Sequence, residues 1–160
     1  MIVIADSSAL VALSICELLP ILDTLFGEVK VPQEVYDEVC ISGKPESQAL
    51  LDYLQGKIYT SDTGKYIEKS NGLGKGELAA IRLYKLLSAD LLLIDDAKAR
   101  KVAYLNNLEV MGCLGVLLLA KQKGLITAIK PSINRLSNSD IFISESLLEK
   151  ILILANESSI

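Results

Sequence analysis

Twice in this chain a short, wholly apolar run ends on a carboxylate and turns directly into a helical segment. Ile2 to Ala5 stops at Asp6, followed by Ser7, Ser8 and an apolar helical stretch from Ala9 to Cys16. Leu91 to Ile94 stops at the pair Asp95-Asp96, and a helix begins near Ala97. Four apolar residues are too few for a helix and read as strands buried on both faces, as in parallel sheets. The pattern therefore commits the chain to an α/β architecture. Open parallel sheets place their ligand sites at the carboxyl-terminal edge, which is where these acids fall.

The stretch Gly74 to Ala103 brings a further acid to that edge. Ala80, Ile81, Tyr84 and Leu87 recur at helical spacing behind Glu77, and a turn at Ser88 to Asp90 leads into Leu91. A helix from Glu77 to Ser88 runs ~16 Å. The following strand climbs back ~13–17 Å to Asp95. Glu77 and Asp95-Asp96 finish at the same edge.

Between these landmarks, Val29 to Val31 reads as a second strand, and Pro32 starts a helix over Gln33 to Ile41. Its first two turns lie over the same edge. Glu34 and Glu38 stand four apart and repel by a few tenths of a kcal/mol unless a positive group lies between them. Glu38 adjoins the buried stripe of Val35 and Val39, so it is the better candidate for an inward carboxylate, against the alternative of a solvated acidic face. Ser47 to Gln55 reads as a helix, Lys57 to Thr60 as a third strand and Leu108 to Gly112 as a fifth. Helices are expected over Leu114 to Lys123, Ser132 to Leu136 and Ser144 to Ala155. The polar stretch Ser61 to Gly76 ends in Gly72-Leu73-Gly74-Lys75-Gly76. It lacks the Gly-Lys-Ser/Thr ending of a phosphate loop, and its glycines instead allow close approach to the sheet edge.

With 160 residues, 17.3 kDa and 51% hydrophobic content, the expectation is one domain over 1–160 with a real core. No apolar run reaches the ~18 residues of a membrane span. The start of the sequence carries no basic leader, and Cys16, Cys40 and Cys113 have no metal-ligand spacing. A reducing cytoplasm is expected, with the three thiols in or near the core. The absence of histidine removes Ser-His and Cys-His pairs and His-ligated metals. Acid chemistry must then rest on carboxylates.

Asp6, Glu38, Glu77 and Asp95 or Asp96 come from separate elements, yet one sheet edge gathers them. Carboxylates cannot stay ionised side by side in a partly desolvated cleft unless a cation neutralises them. A hard divalent ion held by carboxylates and completed by substrate phosphate suits such a site. The reaction class that follows is metal-assisted phosphodiester hydrolysis. For Asp6 the alternative is a helix N-cap, and Ser8 either caps the helix or holds an Asp6 oxygen or a metal-bound water. Lys75, Lys98, Arg100 and Lys101 flank the cleft, and a subset of them is expected to hold substrate phosphates; for Lys98, Arg100 and Lys101 the alternative is a solvated basic face.

Four segments also resemble, in order, the acidic motifs of the PIN domain: Ala5-Asp6-Ser7-Ser8-Ala9-Leu10, Val31-Pro32-Gln33-Glu34-Val35-Tyr36-Asp37-Glu38, Gly76-Glu77-Leu78-Ala79-Ala80 and Leu92-Leu93-Ile94-Asp95-Asp96. With Gly112 to Leu117, the spacing is similar to the prokaryotic VapC-like branch. The resemblance implies a three-layer α/β/α sandwich with a central parallel sheet, here of about five strands. It further implies Mg2+- or Mn2+-dependent ribonuclease activity, a small antitoxin protein as partner and homodimers. It would make Asp6, Glu38, Glu77, Asp95 and Asp96 catalytic, with Asp6, Glu77, Asp95 and Asp96 as metal ligands and Ser8 in support. Two departures stand out: Glu77 where Asp is frequent, and Ile94-Asp95-Asp96-Ala97 where Thr-x-Asp with a further acid is frequent. The second leaves open which of Asp95 and Asp96 binds metal and argues against a second metal site.

A receiver domain would need its acidic pair after the first strand and a lysine after the fifth. An Asp-x-Asp phosphatase would need an acid at Ser8. The serious rival is a PIN-like domain that has kept the fold and only binds protein or RNA. A stripe of Leu147, Leu148, Ile151 and Leu154 offers a dimer surface, or ordinary packing of the last helix.

Overall fold

A computed structural model describes residues 1–41, 44–60 and 72–157. In chain order these form β1 (Ile2–Ala5), α1 (Ser7–Ile15), α2 (Ile21–Phe26), β2 (Glu28–Pro32), α3 (Gln33–Val39), α4 (Ser47–Leu54) and β3 (Ile58–Tyr59). Then come α5 (Lys75–Leu87), β4 (Leu91–Leu93), α6 (Ala97–Leu105), β5 (Val110–Met111), α7 (Cys113–Gln122), α8 (Lys130–Ser137) and α9 (Glu145–Leu154). The strands pair in the order β3-β2-β1-β4-β5, and every pair is parallel.

Successive residues of a strand point to opposite faces. Val3, Ile4 and Ala5 are all fully buried, so helices cover both faces of β1 and the molecule is a three-layer α/β/α sandwich with a five-stranded parallel sheet. The register Val3↔Leu91, Ile4↔Leu92, Ala5↔Leu93 sets the ends of β1 and β4 side by side. The Asp6 amide donates to Leu93 O at 2.8 Å, which carries this pairing up to the first acid.

The two outermost strands, β3 and β5, are each two residues long, shorter than Lys57–Thr60 and Leu108–Gly112 suggest. Short edges leave fewer unpaired backbone groups. The helix α2 lies in a stretch between Cys16 and Val29 to which the sequence assigned no element. It forms because Leu22 and Phe26, four apart, bury one face. The helix α5 starts at Lys75, one half-turn before Glu77. Glu77 then stands at the third helical position, where its side chain returns to accept from the Gly74 amide at 3.4 Å. The expected loop over 61–71 lies outside the described residues.

Cys16 and Cys113 are buried and Cys40 is half-buried, all as free thiols. On α9, Ile151 is buried and Leu148 packs against the core, whereas Leu147 and Leu154 are exposed. Core packing therefore takes half of that stripe. Among the described residues, no helix is long and apolar enough to cross a membrane.

Candidate active site

The carboxyl-terminal ends of β1 and β4 open into a cavity of about 620 Å3 lined by Asp6, Glu38, Glu77, Asp95 and Asp96. Asp6 is 1% exposed and caps α1. Its Oδ2 accepts from the Ser8 amide at 3.3 Å and from Ser8 Oγ at 2.8 Å. That hydroxyl in turn accepts from the Asp95 amide at 2.9 Å. Ser8 thus ties the two strand ends together by holding an Asp6 oxygen, whereas the cap of α1 is Asp6 and not Ser8.

The pair Asp95-Asp96 divides its work. Asp96 is exposed and caps α6, accepting from the Ala99 amide at 2.9 Å. Asp95 turns inward, where its Oδ1 accepts from the Cys113 amide at 2.9 Å. Gly112 makes this possible, since a Cβ there would lie 2.5 Å from Asp95 Oδ1. Gly76 has the same function for Glu38: its missing Cβ would meet Glu38 Oε1 at 2.5 Å, and its amide donates to that oxygen at 3.0 Å. Ser7 Oγ donates to Glu38 Oε2 at 2.8 Å.

Asp6 Oδ1 and Asp95 Oδ2 are buried and accept no hydrogen bond from any described residue. A buried carboxylate oxygen without a partner is costly. Burial accordingly pushes both carboxyls above their ordinary values. Ser8 opposes the rise at Asp6 and the nearby Glu38 charge adds to it. At Asp95 the Cys113 amide and Arg100 oppose it, and Asp6 adds to it. Glu77 is also raised, by burial first and then by Asp96, Asp6 and Glu38.

Two unpartnered acid oxygens on adjacent strands fit a hard cation, the group that removes both penalties at once. As they stand, no three acids or thiols among the described residues approach closely enough to enclose an ion. Glu38, Asp96 and one oxygen each of Asp6 and Asp95 are held by local donors instead.

None of Lys75, Lys98, Arg100 and Lys101 lines the acidic cavity. Lys98 donates to Gly72 O at 3.2 Å, while Lys75 and Lys101 are exposed. Arg100 sits beyond Asp95, its guanidinium against Gly112. The cation on the cavity wall is Lys44, which sequence reasoning missed because it lies in a loop without periodicity. Ser7 was missed as well, although its place beside Asp6 on a helix entry was a usable signal.

A family model for the PIN domain matches residues 2–157, and the chain belongs to that family. PIN domains are generally nucleases and generally use divalent metal ions. No curated protein matches the chain.

Proposed function

We propose that this chain is a Mg2+- or Mn2+-dependent ribonuclease that hydrolyses RNA phosphodiesters, the cytoplasmic toxin of a toxin–antitoxin pair, active as a homodimer and restrained by a small antitoxin protein. The observation that carries the nuclease reading is the pair of buried, unpartnered oxygens, Asp6 Oδ1 and Asp95 Oδ2, at one sheet edge. In this reading Asp6 and Asp95 hold the ion, with Glu77 and Asp96 completing the donor set. When bound, the ion supplies Lewis-acid polarisation and offsets charge on the leaving oxygen. Ser8 fixes the Asp6 carboxylate and the Asp95 backbone. Glu38, held by Ser7 and Gly76, adds negative charge that favours metal over bare acid. Lys75, Lys98, Arg100 and Lys101 take substrate phosphates outside the acidic cavity.

The rival reading, a PIN-like domain that only binds protein or RNA, is favoured by the lack of any three described acids at metal-enclosing distance. One assay separates the two. Purified protein should cleave RNA only with Mg2+ or Mn2+, and Asp6→Asn should abolish cleavage; absence of metal-dependent cleavage favours the binding module. RNA affinity should also fall with salt, and removing one contributing cation should flatten the slope by about 0.7 for a single strand.

A further inference from the structure

Asp95 lines three hollows. Besides the acidic cavity, it borders two adjoining ones of about 630 and about 570 Å3, which also share Arg100 and Leu147. Lys101 lines the second. Apart from Asp95, no described acid lines either. The charged lining of this trough is Asp95, Arg100 and Lys101, one net positive charge in a largely apolar wall. A larger hollow on the other side, about 950 Å3, sets Lys44 and Arg135 against Glu17, Glu38, Glu46 and Asp140, and Arg135 is already paired with Glu17 at 3.3 Å. A polyanion is favoured on the Arg100 side.

The same trough carries exposed aromatic side chains. Phe142 is 89% exposed on its first hollow and Tyr104 is 58% exposed on its second. Every other described Phe or Tyr is buried or packed against the core. An isolated Phe left almost wholly in water costs free energy that burial would recover. Aromatic faces beside a positively charged groove are what binds unpaired nucleotides, since every base offers a face to stack on while the cations follow the backbone.

We propose that Phe142 and Tyr104 are base-stacking residues for single-stranded RNA, which leaves the acidic cavity past Asp95 and Arg100 with its bases on these two rings. This rests on the ribonuclease reading above for the identity of the strand. It makes the substrate unpaired at the nucleotides adjoining the scissile phosphate, because a base in a duplex cannot offer its face to a ring. Phosphate contacts fall to Arg100 and Lys101, and stacking gives affinity with little discrimination between bases.

The test is made on the whole chain with a fluorescent single-stranded oligouridylate in Mg2+, with binding measured in the Asp6→Asn background and cleavage in the parent. Phe142→Ala should weaken binding on the order of tenfold and raise KM alike with kcat unchanged. The salt slope should not move, since no phosphate contact is lost. Phe142→Trp should restore affinity and Phe142→Leu should not, which separates stacking from simple apolar cover. Because Phe142 is exposed, these variants should keep the parent melting midpoint. Affinities of Phe142→Ala and Phe142→Leu equal to the parent would overturn the assignment. So would a Phe142→Ala variant that turns a dimer into a monomer with RNA affinity unchanged, which would give the face to a second copy of the chain. If the parent binds oligouridylate through Phe142 but cleaves nothing, the enzyme reading fails and the stacking surface stands.

Discussion

At the end of β1 one aspartate does two things, and at the end of β4 two aspartates divide them. Asp6 caps α1 with Oδ2 and leaves Oδ1 buried without a partner. After β4, Asp96 takes the cap of α6 and frees Asp95 to turn inward. Where a single residue serves both roles, mutation cannot remove charge and cap separately without choosing the substitute carefully. Where two residues share them, each role can be removed alone.

The largest break in this comparison is expected in catalysis. Asp6→Asn and Asp95→Asn should each reduce RNA cleavage by more than the ~10–100-fold typical of losing a supporting partner of a metal site. Asp96→Asn should reduce it less, and equal losses at Asp95 and Asp96 would show that the second aspartate is not chiefly a cap. Next in size is metal linkage. Magnesium at about a hundred times its Kd should stabilise the parent by about 2.7 kcal/mol. Melting curves should show a smaller shift for Asp6→Asn.

Capping comes third. Asp96→Ala should cost about 1 kcal/mol and Asp96→Asn almost nothing, because Asn caps as well as Asp. Asp6→Asn also keeps its cap, yet without metal it should gain about 0.5–2 kcal/mol, as neutralisation of a functional site can. Denaturant unfolding of the three variants reads all of this, and a neutral Asp6→Asn would reduce that residue to a cap.

The smallest effect is on pH dependence. The folded values of Asp6 and Asp95 lie above their ordinary 3.8, so the folded state holds protons that the unfolded chain has released. Stability from these groups is full below the unfolded value and is lost as pH rises through the folded ones. Metal-free protein should therefore lose stability above about pH 4, by a fraction of ~1.4 kcal/mol per pH unit for each proton. Asp6→Asn should flatten that loss.

What the sequence disclosed of this site follows the range of the forces involved. Ile2 to Ala5 and Leu91 to Ile94 were legible as parallel strands because burial on both faces leaves an unbroken apolar run. The shared edge of Glu77 and Asp95 followed from rise per residue alone. The choice between Asp95 and Asp96 did not, since it depends on which carboxylate the Ala99 and Cys113 amides capture. Nor could spacing show that Gly76 and Gly112 vacate room for Glu38 and Asp95. Phe142 gave no periodic signal, standing alone between two helices, and only its exposure marks it.

The strand order has a consequence for how the molecule is made. β1 lies at the centre of the sheet, but Val3 meets Leu91 across 88 residues of chain. During synthesis β1 can pair with β2 well before β4 exists. Until then the half-built sheet carries Ile2 to Ala5 as an open and wholly apolar edge, of the kind that recruits other chains. Biogenesis of this protein should be most vulnerable to aggregation in that interval, and a nascent chain halted before Leu91 should need a chaperone that the finished molecule does not.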